Sequence, residues 1–290
     1  MNFIIFGSGF GLYGYLPAIY KISNKIFLNR DYKNVYNKRK ELKKYSDKIR
    51  WYNNLSNIID LIDYVVVTKR PQDQLNLIKK INLKKKKIKH FFLEKPIDIN
   101  PKKSIILINY LKKNKINYSF GFIFKYLNWY KHLTNKKNTK QNFTLIWHLK
   151  KKTNNNKWKI QFNSGGGLIR FYGIHLIKIL FDLKYLYIKK NYFNKSFWRA
   201  NFRDKKNNNF FIELKYTKRN KFILKKNKSI ISSSNNPFLK RILKNLEDPR
   251  VKWLKKYIHD ILNNYKKTYK NDIKFIDLWH DIENDKTKFS

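Results

Sequence analysis

The sequence predicts an α/β fold: an N-terminal doubly wound parallel sheet, followed by a C-terminal α+β domain built on a largely antiparallel open sheet. Three observations predict it. The first hundred residues alternate short apolar runs with helical patterns, as βαβ units do. A glycine-rich turn, Gly7-Ser8-Gly9-Phe10-Gly11, follows the first apolar run directly. From residue 143 onward, strand-like runs succeed one another with few helices between them, which implies antiparallel pairing.

The elements follow in order. Residues 3–6 form a short apolar strand that ends in glycines, and 12–22 continue as a helix. Residues 25–28 read as the second strand, 36–45 as a polar helix that bears Lys and Glu, and 57–61 as a short helix. The β-branched run at 64–67 suits a strand buried on both faces. A helix at 72–81, a strand at 88–93, and a helix at 101–113 with Pro101 in its first turn come next. Residues 117–124 give a further strand, and near Tyr118 the pattern changes. That change divides the chain into 1–118, a dinucleotide-binding domain, and 119–290, a domain for substrate and oligomer contacts. Strands are expected at 143–149, 186–192, 197–202, 210–216 and 221–225, interrupted by a helix at 168–181. Helices at 251–262 and 275–282 close the chain.

Composition excludes several chemistries. No cysteine is present, so disulfides, iron–sulfur ligation and a thiol nucleophile are ruled out. The 66 Lys and Arg against 19 Asp and Glu give a formal net charge of +47, which would ordinarily point to nucleic acid. The excess is spread along the whole chain, however, with abundant Asn, Ile, Tyr and Phe and scarce Ala, Gly and Pro. That is the pattern an A/T-rich coding sequence produces. Runs such as Lys84 to Lys87 and Lys150 to Lys152 therefore read as solvated loop or helix ends, and no nucleic-acid partner is expected. No apolar run approaches the roughly 20 residues a membrane-spanning helix needs, and the short first apolar segment lacks a basic leader. A cytoplasmic protein without a membrane partner is expected.

Strand, glycine turn and helix together let backbone N–H groups approach a pyrophosphate. Gly7 would make the tight turn and Gly9 the close approach, with Ser8, Phe10 and Gly11 around them. The third glycine of the usual fingerprint falls on Leu12. About 20 residues on, the group that reads the adenosine ribose is expected among Asn29, Arg30 and Asp31. A carboxylate would bond the hydroxyls of NAD and an arginine the 2′-phosphate of NADP. Asn29 and Arg30 favour NADP, and both cofactors stay open. After the third strand, Thr68-Lys69-Arg70-Pro71 turns into the next helix beside the expected cofactor. Glu94-Lys95-Pro96 ends another strand, where open α/β sheets bind ligands.

These motifs carry a resemblance. Gly7-Ser8-Gly9, Val65 to Thr68 with Pro71, Leu93-Glu94-Lys95-Pro96, Gly121-Phe122 leading to Lys125, and Gly165-Gly166-Gly167 leading to His175 occur in the order seen in the Gfo/Idh/MocA oxidoreductase family. The chain resembles that family along essentially its whole length. The resemblance implies a Rossmann domain and a C-terminal α/β domain whose open sheet often makes dimer or tetramer contacts, so a homo-oligomer is expected. It also implies hydride transfer between NAD or NADP and a hydroxyl or keto carbon of a sugar, polyol or sugar nucleotide, with polysaccharide biosynthesis as one setting. Lys95 and His175 take the catalytic positions, Lys125 and Arg170 join them as substrate-binding candidates, and Thr68, Arg70, Glu94 and Lys95 border the cofactor.

One position departs from the family. Many members have an aspartate four residues before the histidine, and here that residue is Phe171, which cannot move a proton. Its role falls to Tyr172, whose phenol both donates and accepts, or to Arg170. The alternative is a catalytically impaired cofactor-binding or regulatory protein. His90, His148, His259 and His280 lack metal-ligand spacing with a carboxylate partner, and no metal is expected. Trp147, Trp158 and Trp198 are candidates to stack a sugar ring or to pack the sheet.

Overall fold

The apolar runs near the amino terminus form six parallel strands: β1 (Asn2–Phe6), β2 (Lys25–Asn29), β3 (Ile49–Tyr52), β4 (Tyr64–Val67), β5 (His90–Leu93) and β6 (Tyr118–Phe120). Their order is β3-β2-β1-β4-β5-β6. The chain starts in the middle, runs out to β3 and returns to β4, so the order reverses at β1 and β4. In open α/β sheets a ligand crevice lies at the carboxyl ends of the strands where the order reverses. The sequence explains why they are central: Ile4, Ile5, Val65, Val66 and Val67 are fully buried, as strands covered on both faces require.

The computed structural model describes residues 1–82, 88–134, 140–151, 157–238, 247–266 and 269–285. They fall into two units. The first comprises Met1–Asp98, Ile106–Ile123 and Lys244–Tyr269, and the second Ile99–Ile105, Phe124–Leu243 and Lys270–Ser290. A single cut after residue 118 does not describe them. The helix Val251–Asn264 buries Val251, Trp253, Leu254, Tyr257 and Ile258 within the first unit. There the Tyr257 ring meets Phe92 edge-on at 6.0 Å, and its hydroxyl lies 2.6 Å from Ser119 Oγ.

The second unit is built on β7 (Asn142–Lys150), β8 (Tyr187–Phe193), β9 (Phe197–Arg203), β10 (Asn209–Thr217), β11 (Lys221–Lys226) and β12 (Ser229–Ser234), in the order β12-β11-β7-β10-β9-β8. Pairing is antiparallel except between β7 and β10, which run parallel. Alternation sets the core: Phe210, Ile212 and Leu214 point inward with Trp198, Ala200 and Phe202 of the neighbouring strand. Asn191 is fully buried, accepts from Trp198 Nε1 at 2.9 Å and donates to Ile282 O at 2.7 Å, fixing the helix Tyr269–Asn284.

Several elements differ from the sequence expectation. The helix expected at 36–45 is a short one, Lys33–Asn37, followed by tighter turns over Lys40–Lys48, because Arg39 between them is extended. Residues 57–61 form two isolated turns rather than a helix. β3 and β12 were not expected. Both are short edge strands, one interrupted by Arg50 and the other mostly serine, so neither carries a clear apolar period. The strand expected at 117–124 stops at Phe120. The run Lys84 to Lys87 lies outside the described residues, as does Lys152. Among the described residues, no helix is long and apolar enough to cross a membrane.

Candidate active site

At the end of β1 the backbone of Gly7 has φ +129°, and a Cβ there would lie 2.2 Å from Thr68 Oγ1. At Gly11 a Cβ would lie 2.7 Å from both Ile5 Cγ2 and Thr68 Oγ1. These two glycines let the turn sit directly against the end of β4, where Thr68 Oγ1 donates to Phe6 O at 3.1 Å. Gly9 differs: a Cβ would meet nothing within 4 Å, so its backbone faces open space. That combination, a strand end, a tightly held turn, an open glycine and a following helix, fits a pyrophosphate approaching the backbone. Leu12 is not part of it. Its side chain is fully buried and its N–H donates to Gly9 O at 3.0 Å, so it is a core residue that starts the helix.

Phe10 carries the guanidinium of Arg250 4.0 Å from its ring centroid, and Asp248 holds that guanidinium by bonds of 2.9 and 2.8 Å. At the end of β2, Asn29 Oδ1 accepts the Asp31 N–H at 2.7 Å and so caps the turn Arg30–Tyr32. The Asn29 side-chain oxygen is thereby engaged by backbone, while Arg30 and Asp31 are exposed. Tyr32, which the sequence did not single out, accepts the Gly7 N–H at 3.1 Å and ties the end of β2 to the glycine turn. Its one sequence signal is its place just beyond the ribose-reading triplet. Arg70 is exposed, and its carbonyl accepts from Asp73 N at the start of the helix Pro71–Asn82.

The end of β5 is clamped from two sides. Gln74, a buried amide on the helix Pro71–Asn82, donates through Nε2 to the carbonyls of Glu94 and Pro96, both at 3.0 Å. The Lys95–Pro96 bond is cis. Tyr15 donates its hydroxyl to Glu94 Oε1 at 2.9 Å, and a Cβ on Gly121 would lie 2.6 Å from that same oxygen. Burial pushes the Glu94 carboxyl above the usual carboxylate range, against the pull of Lys95 and of the Tyr15 bond. Burial and the neighbouring Glu94 push the Tyr15 phenol up as well, so it remains a donor. Lys95 is half-buried, with its backbone fixed between these anchors. Gln74 and Tyr15 escaped sequence reasoning because each looks like an ordinary helix residue until the strand end beside it is known.

In the second unit Gly165 and Gly167 take φ of +78° and +81°, and a Cβ on Gly166 would lie 2.0 Å from Trp158 O. The cluster thus turns the chain tightly against residues 158–159 before the helix that carries His175. The His175 ring is buried and lies parallel to Phe124, 4.3 Å between centroids and 7° between planes. Phe171 packs edge-on to Trp158 at 5.4 Å and to Tyr172 at 4.8 Å. Tyr172 also meets Trp147 at 5.7 Å and Tyr216 at 6.4 Å, and burial pushes the Tyr216 phenol up to about 12.

Arg170 has a different role from the one expected of it. Its Nε and Nη2 pair with Glu283 at 2.7 and 2.6 Å, its Nη1 donates to Ile99 O and Phe162 O, and its guanidinium lies 3.5 Å from the Phe162 ring centroid. A buried guanidinium bonded in all these directions is a structural anchor, not a substrate ligand or a replacement for the missing aspartate. Lys125 is exposed, with its ammonium 4.7 Å from the Tyr126 ring.

The remaining candidates other than Trp158 have structural partners. Trp147 and Trp198 are buried in the sheet, whereas Trp158 is half-buried. His90 bonds Ser119 Oγ at 2.8 Å, and burial pushes it down to about 3. His148 bonds Glu213 at 2.7 Å. No group of three metal-ligating side chains occurs among the described residues.

Comparison with known proteins agrees with this fold. Solved structures similar in fold include a Thermus thermophilus dehydrogenase in complex with NAD and UDP-GlcNAcA, 11% identical, with a TM-score of 0.71 over 100% of this chain and 97% of that one. A 3-ketoreductase from Actinomadura kijaniata in complex with NADP and TDP-benzene is 10% identical, with a TM-score of 0.70 over 99% and 98%. A myo-inositol dehydrogenase from Corynebacterium glutamicum is 12% identical, with a TM-score of 0.68 over 98% and 95%. No curated protein matches the chain in sequence. Residues 1–122 match the oxidoreductase family described by an NAD-binding Rossmann fold. Over residues 1–122 the chain is thus similar to the NAD-binding Rossmann domain of the Gfo/Idh/MocA oxidoreductase family.

Proposed function

We propose that this protein is an NAD(P)-dependent oxidoreductase that interconverts a hydroxyl and a keto carbon on a sugar, polyol or sugar nucleotide. The observation that carries the reading is the clamp on Lys95, a lysine held by Gln74 and the Glu94–Tyr15 pair at the carboxyl end of a central strand. The similar structures that bind UDP-GlcNAcA or TDP-benzene, and the one that oxidises myo-inositol, support the substrate range.

When bound, a nicotinamide ring takes or returns the hydride. The turn Gly7-Ser8-Gly9-Phe10-Gly11 offers backbone to the pyrophosphate, and Thr68 holds that turn in shape. Arg30 and Arg70 are exposed cations suited to the ribose side, which favours NADP. Lys95 orients the reacting oxygen and stabilises negative charge as it develops there. His175 exchanges the hydroxyl proton, since imidazole titrates near neutrality, and Tyr172 supplies a second hydroxyl to the same chemistry. Lys125 contributes positive charge for an anionic substrate. We place the protein in the cytoplasm as a homo-oligomer that associates through the open sheet of its second unit.

Phe171 favours a second reading, a cofactor-binding protein without turnover, because its ring can carry no proton. Two measurements separate the readings. NADH or NADPH should raise the unfolding temperature, since a ligand bound only to the folded state stabilises it. Turnover with a panel of sugars and sugar nucleotides should then appear, and should be lost in Lys95→Ala and His175→Ala. Cofactor binding without turnover on any substrate would leave the second reading standing, and activity that survives both substitutions would refute these catalytic assignments.

A further inference from the structure

A run of ring contacts in the second unit leads from His175 towards solvent. His175 stacks on Phe124, Phe124 tilts against Trp147 at 5.6 Å, Trp147 meets Tyr172, Tyr172 meets Phe171, and Phe171 meets Trp158. Exposure rises along it: His175, Phe124 and Trp147 are buried, while Tyr172, Phe171 and Trp158 are half-buried. At the outer end the Lys159 ammonium lies 5.9 Å from the Trp158 ring centroid and 5.6 Å from that of Phe171. The glycine cluster holds this end in place, since Gly166 sits against the backbone of residues 158–159.

The chemistry of this outer end is specific. Half-exposed aromatic rings stack on the flat face of a base or on the apolar face of a sugar ring. A cation beside them adds attraction for an anion. A neutral sugar or polyol offers no charge to that ammonium and no flat base to the rings. The position that carries a carboxylate in many family members is here an additional ring, Phe171, which removes repulsion towards an anionic ligand as well as a proton carrier.

We propose that Trp158, Phe171 and Tyr172, with Lys159, form a substrate subsite for a stacking ring that bears an anionic group, which selects a nucleotide-linked or phosphorylated sugar over a neutral sugar or polyol. This rests on the oxidoreductase reading above for the identity of the reacting part of the ligand.

Calorimetric titration of the full-length protein with UDP-glucose, glucose 6-phosphate, glucose and myo-inositol tests it without relying on turnover. The first two should bind and the neutral pair should not at the same concentrations. Trp158→Ala should weaken UDP-glucose binding roughly 5- to 150-fold, the range that loss of one stacking partner gives. Lys159→Gln should weaken both anionic ligands by about 2- to 5-fold, in line with a partly exposed charge, whereas Lys228→Gln, an exposed charge control, should not. If Trp158→Ala affects UDP-glucose alone, the base occupies the rings; if it affects both anionic ligands, the sugar does. Either result supports the subsite. Binding of myo-inositol as tight as that of UDP-glucose, no detectable binding of UDP-glucose, or a UDP-glucose Kd unchanged in both variants would overturn it. Failure of the oxidoreductase reading looks different: no stabilisation by NADH or NADPH and no turnover, with the ligand selectivity intact.

Discussion

The end of β5 in the first unit and the start of the His175 helix in the second hold their candidate catalytic side chains by different means. Lys95 is positioned through its backbone: Gln74 bonds the carbonyls on either side of it, and the chain turns at a proline. His175 is positioned through its ring, which lies flat on Phe124 and continues into a row of aromatic contacts. Backbone clamps tolerate exchange of the side chain they present. Packed side chains do not, because function and core share the same atoms. The difference predicts that chemistry and stability separate in the first unit and are entangled in the second.

The largest effect should come from Arg170→Met. It leaves the Glu283 carboxylate without its cation, held only by the Trp279 Nε1 donor, and the carbonyls of Ile99 and Phe162 without their Arg170 donor, so about 3–5 kcal/mol of stability should be lost. If the second unit alone depends on that anchor, denaturant unfolding should split into two transitions, with the lower one assigned to residues around the sheet β12 to β8. A single unshifted transition would mean that Arg170 anchors little.

Lys95→Ala sharpens the comparison from the other side. Removal of one charge-stabilising donor should lower kcat/KM by roughly 10²- to 10³-fold, about 3–4 kcal/mol of transition-state stabilisation, with the unfolding midpoint nearly unchanged. His175→Ala should lower both activity and stability, since it also removes the ring that covers Phe124. Equal stability losses in the two variants would erase the distinction drawn here.

How much of each region was legible in the sequence follows from the same contrast. Gly7, Pro96 and Gly165 to Gly167 announce themselves because a left-handed backbone, a close approach or a special turn restricts the residue type, and such restrictions are local. Tyr15, Gln74 and Tyr32 are silent because a buried hydrogen bond to a distant backbone group leaves no local pattern. Arg170 misled for a related reason. A basic residue near an expected site looks like a ligand, and only the position of Glu283, 113 residues away, shows what it holds. In the sheets, β1 and β4 were legible from continuous β-branched or apolar runs, while edge strands β3 and β12 bury too little to need them.

Within the glycine turn the two means of positioning meet. Gly7→Ala should cost roughly 1–3 kcal/mol for the strained backbone alone, and more for the overlap with Thr68. Gly9→Ala meets no atom, so its stability should stay within about 0.5 kcal/mol of the parent. Its NADH affinity should nevertheless fall, because the added methyl would occupy the open side where a pyrophosphate approaches. Fluorescence titration with NADH, alongside urea unfolding, reads the two effects separately. A Gly9→Ala protein that binds NADH as well as the parent would move the cofactor away from this turn.

The smallest effect concerns charge in the second unit. Glu213 receives His148 at 2.7 Å, Arg199 at 2.8 Å and Lys215 at 3.1 Å. Burial by itself would raise its pKa, but these bonds hold the carboxyl down at about 2, against an ordinary value of 4.5. A carboxyl depressed on folding contributes stability that is complete above its unfolded pKa and is lost as pH falls through the folded one. The second unit should therefore weaken between about pH 4.5 and pH 2. Glu213→Gln cannot ionise, so it should be less stable than the parent at pH 7 and should show a flatter acid limb, as measured by urea midpoints at pH 7, 4 and 3. An acid limb of equal slope in both proteins would assign the loss to other carboxylates and leave this cluster as ordinary surface charge on a strongly cationic chain.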